Sequence, residues 1–214
     1  MDLIKLAKKR NGQKKLYEEF RIGFVRKLDR RTVLKLLKIN FLYGSFVIKT
    51  HSNPTRLIYW LSLFGIIRTT FSYRHPVDTV LSAIDHRNKT KDSDRPVFVQ
   101  HKDLESSSMV IKKAYRKFGN WSTVPNVLFV KYEVFTKKTA EELFRIQMHL
   151  RLNLSSNQIE SVVSHYHSNP EQIWNLNKGN ENRYKSELEE TRQKELELFF
   201  ENEIEFAGYN DHIT

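Results

Sequence analysis

The sequence predicts an α/β layer fold with a mostly parallel sheet flanked by helices. Short apolar, β-branched runs at residues 45–48, 66–73 and 127–132 alternate with stretches whose apolar residues recur at helical spacing. The composition agrees: 39% of the residues are hydrophobic and 29% charged, with only seven glycines and five prolines in 214 residues. That is enough apolar material for a full core, and it excludes collagen-like, low-complexity and wholly disordered chains. A single domain over 1–214 is expected.

Each element has a local reason. Residues 1–40 read as helical, from Leu3, Leu6 and Ala7 and then Val33, Leu34, Leu36 and Leu37, with no strand among them. Gly44 opens Ser45-Phe46-Val47-Ile48, a buried strand that stops at the polar Lys49-Thr50-His51. Pro54 ends local regularity, and Leu57 to Phe64 form a short helix. Ile66 to Tyr73 is the second strand. Pro76 and Asp78 are helix-start signals, because an early proline loses no helical bond and an acid faces the positive end of the helix dipole; Val77, Val80, Leu81 and Ile84 supply the buried face. Residues 86–108 are the most polar stretch, a loop or lid with a weak strand at 97–99. Val127 to Tyr132 is the third strand. Capping-box patterns at Thr139–Glu142 and Ser155–Gln158 start two helices. A last helix from about Glu187 to Ala207 buries Leu196, Phe199, Phe200 and Ile204 and stops at Gly208.

The absence of cysteine removes disulfide scaffolds, thiolate metal sites and thiol nucleophiles. The charged N-terminus lacks the apolar core of a signal peptide. The longest uncharged run, Leu57 to Ile67, has 11 residues, against the ~20 that span a bilayer. A cytoplasmic chain without a membrane span is expected. The net charge of +11 is uneven: residues 1–40 hold 13 Lys+Arg against four acids, whereas 181–214 hold four against ten. Such a field attracts polyanions, nucleotides or sulfated and phosphorylated ligands without choosing among them.

In the stretch Tyr73 to Ser82 an arginine, Arg74, ends a strand, and Ser82 follows inside the next helix. Helix N–H groups, a planar guanidinium and a hydroxyl together can bind a phosphate monoester, although an arginine at a strand end is also a common surface ion pair. His51 beside Lys49 is a candidate general base, since an acceptor hydroxyl attacks well only when a base of near-neutral pKa takes its proton. Tyr132 either contacts a ligand or plugs the core, and Glu133 reads equally well as a solvated charge. Phe41, Tyr43, Tyr59, Trp60 and Phe64 read as core. No His or carboxylate cluster has metal-ligand spacing.

At these residues the chain resembles the sulfotransferase family, which binds 3′-phosphoadenosine 5′-phosphosulfate. Arg74, Pro76, Asp78 and Ser82 are in register with its 3′-phosphate motif. Phe46 to His51 is similar to its apolar strand ending in Lys-Thr-His, and Val127 to Glu133 to its third strand. Asn177-Lys178-Gly179, with Tyr184 beyond, resembles its Arg-Lys-Gly…Trp loop. The four motifs occur in the family's order and cover about residues 44–209. The resemblance implies a P-loop-like sulfotransferase fold and transfer of a sulfuryl group to a hydroxyl or amine acceptor, small molecule or carbohydrate, without a metal. It implies Arg74, Ser82 and Tyr132 as nucleotide contacts, Lys178 and Gly179 as a closing loop, His51 as base and Lys49 as stabiliser of the sulfuryl oxygens.

The family opens with a strand and a loop of the type Lys-Ser-Gly-Thr-Thr that holds the 5′-phosphosulfate. Lys9 to Lys14 has no strand before it and no Ser or Thr after it, so the chain resembles a sulfotransferase that has lost, or does not show here, its first βα unit. Asn177 also stands where the family often has arginine. Two other readings stay open. One is a non-catalytic basic module binding nucleic acid or another polyanion through residues 1–40, though no nucleic-acid motif is present and acids are interleaved there. The other is an inactive truncated relative.

Overall fold

The computed structural model describes residues 22–90, 99–168 and 180–209. The expected helix around Leu3 to Ala7, the Lys9 to Lys14 stretch, positions 97 and 98, Asn177, Lys178 and Gly179 lie outside them. Contacts divide the chain into two compact units: residues 1–68 with 120–127, and residues 69–119 with 128–214.

In the first unit, β1 (Ile22–Val25) leads into α1 (Arg30–Tyr43), β2 (Val47–Thr50) and α2 (Arg56–Leu63). A strand thus lies where the sequence shows none. It is a strand because it pairs in parallel with β2, with Phe24 opposite Lys49 and Val25 opposite Thr50, a partnership that four residues among charges cannot announce. A βα unit therefore precedes β2. Asp29 caps α1, its carboxylate accepting from the Thr32 N–H at 2.9 Å. Gly44 ends the helix at φ 81°, where a side chain would be strained. Thr55 caps α2. Val25, Leu28, Val33, Leu36, Ile58, Leu61, Trp121 and Val124 form the buried side of this unit. The Trp121 indole N–H reaches the Ser52 carbonyl at 3.1 Å, and Asn126 Nδ2 the Ser62 carbonyl at 2.6 Å.

In the second unit, β3 (Thr69–Tyr73) and β4 (Val127–Lys131) pair as another two-stranded sheet. The three strands expected to share one sheet are thus divided between two ladders, because β2 hydrogen-bonds to β1. Around β3 and β4 lie α3 (Pro76–Thr90), α4 (Leu104–Ser122), α5 (Tyr132–Lys137), α6 (Thr139–Leu150), α7 (Ser156–Ser168), α8 (Arg183–Glu187), α9 (Glu190–Phe199) and α10 (Glu201–Phe206). The expected polar loop over 86–108 is shorter than that. Helix α3 runs to Thr90, and α4 starts at Leu104, its Ile111, Tyr115 and Phe118 facing inward at helical spacing. Val99 lies in a turn rather than a strand. The capping box at Ser155 and Gln158 forms in both directions, at 2.8 and 3.3 Å. Thr139 instead donates to the Phe135 carbonyl. The last expected helix breaks at Phe200 into α9 and α10.

The core of this unit joins Val77, Val80 and Leu81 of α3 to Ile111 and Phe118 of α4 and to Leu196, Phe200 and Ile204. Phe71, Tyr73, Phe118 and Phe129 meet in tilted and edge contacts with centroids 4.9 to 6.4 Å apart. β3, β4 and α3 thus pack on one core, which lies against both sides of the turn between β3 and α3. Among the described residues no helix is long and apolar enough to cross a membrane.

Candidate functional site

Parallel strands carry their following loops at one edge, the edge where ligands of open α/β sheets bind. In the first unit those loops are Arg26 to Asp29 after β1 and His51 to Thr55 after β2, and the Leu28 N–H donates to the Ser52 hydroxyl at 3.1 Å. Lys49 is the next-to-last residue of β2 and is exposed; His51 lies just past the strand end, also exposed, its ring 5.8 Å from that of Phe24. Lys27 lies exposed in the neighbouring loop. Lys49 and His51 thus sit together at a strand's C-terminal end, as the sequence implies.

The loop after β1 differs in chemistry from an anion-binding loop. It contains no glycine. Of the amides near its helix, that of Leu28 serves Ser52 and that of Thr32 serves Asp29. The Thr32 N–H holds the Asp29 carboxyl below its usual range, so a negative charge sits at the helix N-terminus at neutral pH. That position favours an internal anion over an external one.

In the second unit, Arg74 leaves the end of β3 just before α3. Its Nη2 is 3.3 Å from Asp78 Oδ2 and donates to the Asn180 carbonyl, and its guanidinium carbon lies 4.7 Å over the Tyr132 ring. The Tyr115 hydroxyl donates to the Arg74 carbonyl, tying the turn to α4. Arg74 Nε is buried and finds no hydrogen-bond partner among the described residues. A cavity of about 270 Å³ opens beside it, lined by Arg74, Tyr132, Tyr73, Tyr115, Phe118 and Thr79 among others. Arg74 and Tyr132 are brought together. Ser82 is half-buried two turns into α3. Lys178 and Gly179 lie outside the described residues.

Beneath Arg74 lies a buried polar layer. Asp78 is fully buried, accepts the Tyr184 N–H at 3.2 Å, and has its carboxyl raised by burial against the opposing pull of Arg74. Glu133 is buried, not solvated: Oε1 accepts the His75 N–H at 3.0 Å and Oε2 the Tyr209 hydroxyl at 2.6 Å. The His75 ring stacks on Tyr184 with centroids 4.8 Å apart. Tyr184 is therefore core, although its sequence neighbourhood resembles a closing loop. Sequence reasoning missed the clamp made by Glu133 and Tyr209, and also Tyr115 and Asp29. Of these, Asp29 carried a signal, an Asp-x-x-Thr start before an apolar cluster.

The aromatic residues Phe41, Tyr59, Trp60 and Phe64, expected in the core, are exposed. Helix α2 turns Ile58 and Leu61 inward, which leaves Tyr59, Trp60 and Leu63 on the opposite side.

No protein-family profile matches the sequence, and no curated protein does. Solved structures do. A crystal structure of retinol dehydratase with androsterone and the inactive cofactor PAP aligns at 15% identity and a TM-score of 0.52, covering 87% of this chain and 63% of that one. The same enzyme with retinol and PAP gives 16% and 0.53 over the same shares. A mouse sulfotransferase complexed with PAP gives 13% and 0.60, covering 86% and 74%. The chain thus spans somewhat under two thirds of the length of the retinol dehydratase chains. At these identities the likeness is one of backbone: the chain has the α/β fold of sulfotransferases.

Proposed function

We propose that the chain is a sulfotransferase that moves a sulfuryl group from 3′-phosphoadenosine 5′-phosphosulfate to a hydroxyl or amine acceptor. One observation carries the reading. Arg74, at the strand end where this fold binds ligands, keeps a buried N–H without an acceptor among the described residues, beside a cavity walled by Tyr132. A buried guanidinium N–H of this kind is satisfied by an anionic oxygen. In this reading Arg74 and Ser82 bind the 3′-phosphate, Tyr132 packs on the nucleotide, and Lys178 and Gly179 close over it. When bound, the co-substrate supplies an activated sulfuryl group. His51 takes the acceptor's proton as the new bond forms, and Lys49 lowers the energy of the charged sulfuryl oxygens. The acceptor is a small molecule or carbohydrate; the retinol and androsterone named in the two dehydratase structures are small hydroxyl-bearing molecules of that kind.

A second reading, a nucleotide-binding relative that does not transfer sulfate, is favoured by Asp29. Its carboxylate occupies the helix N-terminus after β1, where the family's loop holds the 5′-phosphosulfate. Calorimetry with 3′-phosphoadenosine 5′-phosphate and with adenosine 5′-phosphate tests what both readings share. The first should bind more tightly, and Arg74→Ala should weaken it by roughly 1.5 to 3 kcal/mol, the range of charge-assisted hydrogen bonds. Equal affinity for the two nucleotides would remove both. Radiolabelled sulfate transfer separates them: turnover that disappears in His51→Ala with nucleotide affinity unchanged supports the enzyme. Binding without turnover supports the relative.

A further inference from the structure

Helix α2 is apolar on both sides. Ile58 and Leu61 are buried, while Tyr59, Trp60 and Leu63 face water, followed at once by Phe64 and Ile66. Trp60 is 54% exposed, Phe64 71% and Phe41, near the end of α1, 87%. The rings of Trp60 and Phe64 stack on one another with centroids 6.1 Å apart, and Tyr59 meets Trp60 edge-on at 5.7 Å. A helix with apolar residues on its outer face as well as its inner one leaves a patch of the kind that marks an interaction surface.

The charge of this segment selects the partner. From Arg30 to Arg68 the sequence has seven Lys+Arg and no Asp or Glu. Arg30, Arg31, Lys35 and Lys38 of α1 and Arg56 of α2 are exposed. Like charges carried on the same two helices oppose a second copy of the chain docking there. A single-stranded nucleic acid uses aromatic faces for its bases; here Trp60 and Phe64 stack on one another, and Leu63 and Ile66 add exposed aliphatic side chains that offer a base nothing to stack on. Aliphatic and aromatic side chains that enter the acyl boundary, Trp and Tyr rings that prefer the headgroup level, and basic side chains for the headgroup phosphates describe one partner. We propose that α2, with the exposed residues of α1, docks the protein on the surface of an anionic lipid bilayer without crossing it. The proposal is independent of the sulfotransferase reading.

Sedimentation of the full chain with vesicles tests it. Vesicles of phosphatidylcholine containing roughly one third phosphatidylserine should carry the protein down, and pure phosphatidylcholine should not. Trp60→Ser with Phe64→Ser leaves every charge in place and removes side chains outside the core. It should lower partitioning roughly tenfold or more without moving the melting temperature, because these rings supply the inserted area. Arg56→Glu with Lys38→Glu should lower it by a similar factor through the headgroup term. Bromolipid quenching of tryptophan emission should fall in Trp60→Phe. Sedimentation with neutral vesicles as strong as with anionic ones, or partitioning unchanged by the paired serine substitutions, would overturn the proposal. So would an oligonucleotide affinity or a self-association that depends on Trp60 while vesicle binding does not.

Discussion

Replacing Glu133 by alanine removes two buried acceptors at once: the one that takes the His75 N–H at 3.0 Å and the one that takes the Tyr209 hydroxyl at 2.6 Å. Both donors lie inside the protein. Burial and the Glu133 charge push the Tyr209 phenol well above its ordinary value, so it remains a donor across the working pH range. A hydrogen bond to a charged group contributes about 1.5 to 3 kcal/mol, and a donor left buried and unpaired costs a similar amount, so the pair sums to roughly 3 to 6 kcal/mol. For a chain of this size that is a fall in melting temperature of roughly 10 °C. Glu133→Gln keeps an acceptor for the His75 N–H and lets Tyr209 accept from the new amide, so it should cost only about 1 kcal/mol. Denaturant unfolding of the three proteins, with calorimetric nucleotide binding beside it, supplies the comparison. Because the His75 N–H adjoins Arg74, the alanine variant should also bind 3′-phosphoadenosine 5′-phosphate more weakly than the glutamine variant does. An alanine variant within about 1 kcal/mol of the parent would show that the clamp is dispensable and refute this account of the turn.

Two further outcomes follow from the geometry. Burial raises the Asp78 carboxyl above its ordinary value of 3.8, outweighing Arg74 and the Tyr184 N–H and aided by Glu133. The folded state therefore holds that proton more tightly than the unfolded one, so the group's contribution is full below the unfolded pKa and is lost as pH rises through the folded one. The stability of the parent relative to Asp78→Asn should thus fall as the pH rises above the unfolded value of 3.8, and a difference that is flat or rises would be contrary. Ser155→Ala removes the hydroxyl that accepts the Gln158 N–H at the start of α7. It should cost about 1 kcal/mol in a thermal melt, and no change would show that the cap is not used.

Much of the local architecture is legible without coordinates. Pro76 and Asp78 start α3, the reciprocal pair Ser155 and Gln158 starts α7, and Val77, Val80 and Leu81 are buried where their spacing puts them. These signals act within a turn or two of chain, so they survive whatever the rest of the molecule does. The end of β2 at Lys49 and His51, and Arg74 ahead of a helix N-terminus, are legible for the same reason.

Other features depend on partners far along the chain. Ile22 to Val25 is a strand only because β2 lies beside it, and the polar start of α4 is helical because Ile111, Tyr115 and Phe118 reach the core of the second unit. Residue type does not reveal that Glu133 is buried, since its charge is tolerated only where the His75 amide and the Tyr209 hydroxyl converge from 58 and 76 residues away. Nor does it reveal that Trp60 and Phe64 face outward, because α2 has apolar residues on both sides and packing alone selects which is covered. The sequence by itself determined the starts of α3 and α7, the buried face of α3 and the polar residues at strand ends, all of which follow from neighbours within a few positions. Only the tertiary structure decided which strands pair, which charges are clamped inside and which aromatic face is left to water, because each of those is settled by the free energy of groups that meet only when the chain has folded.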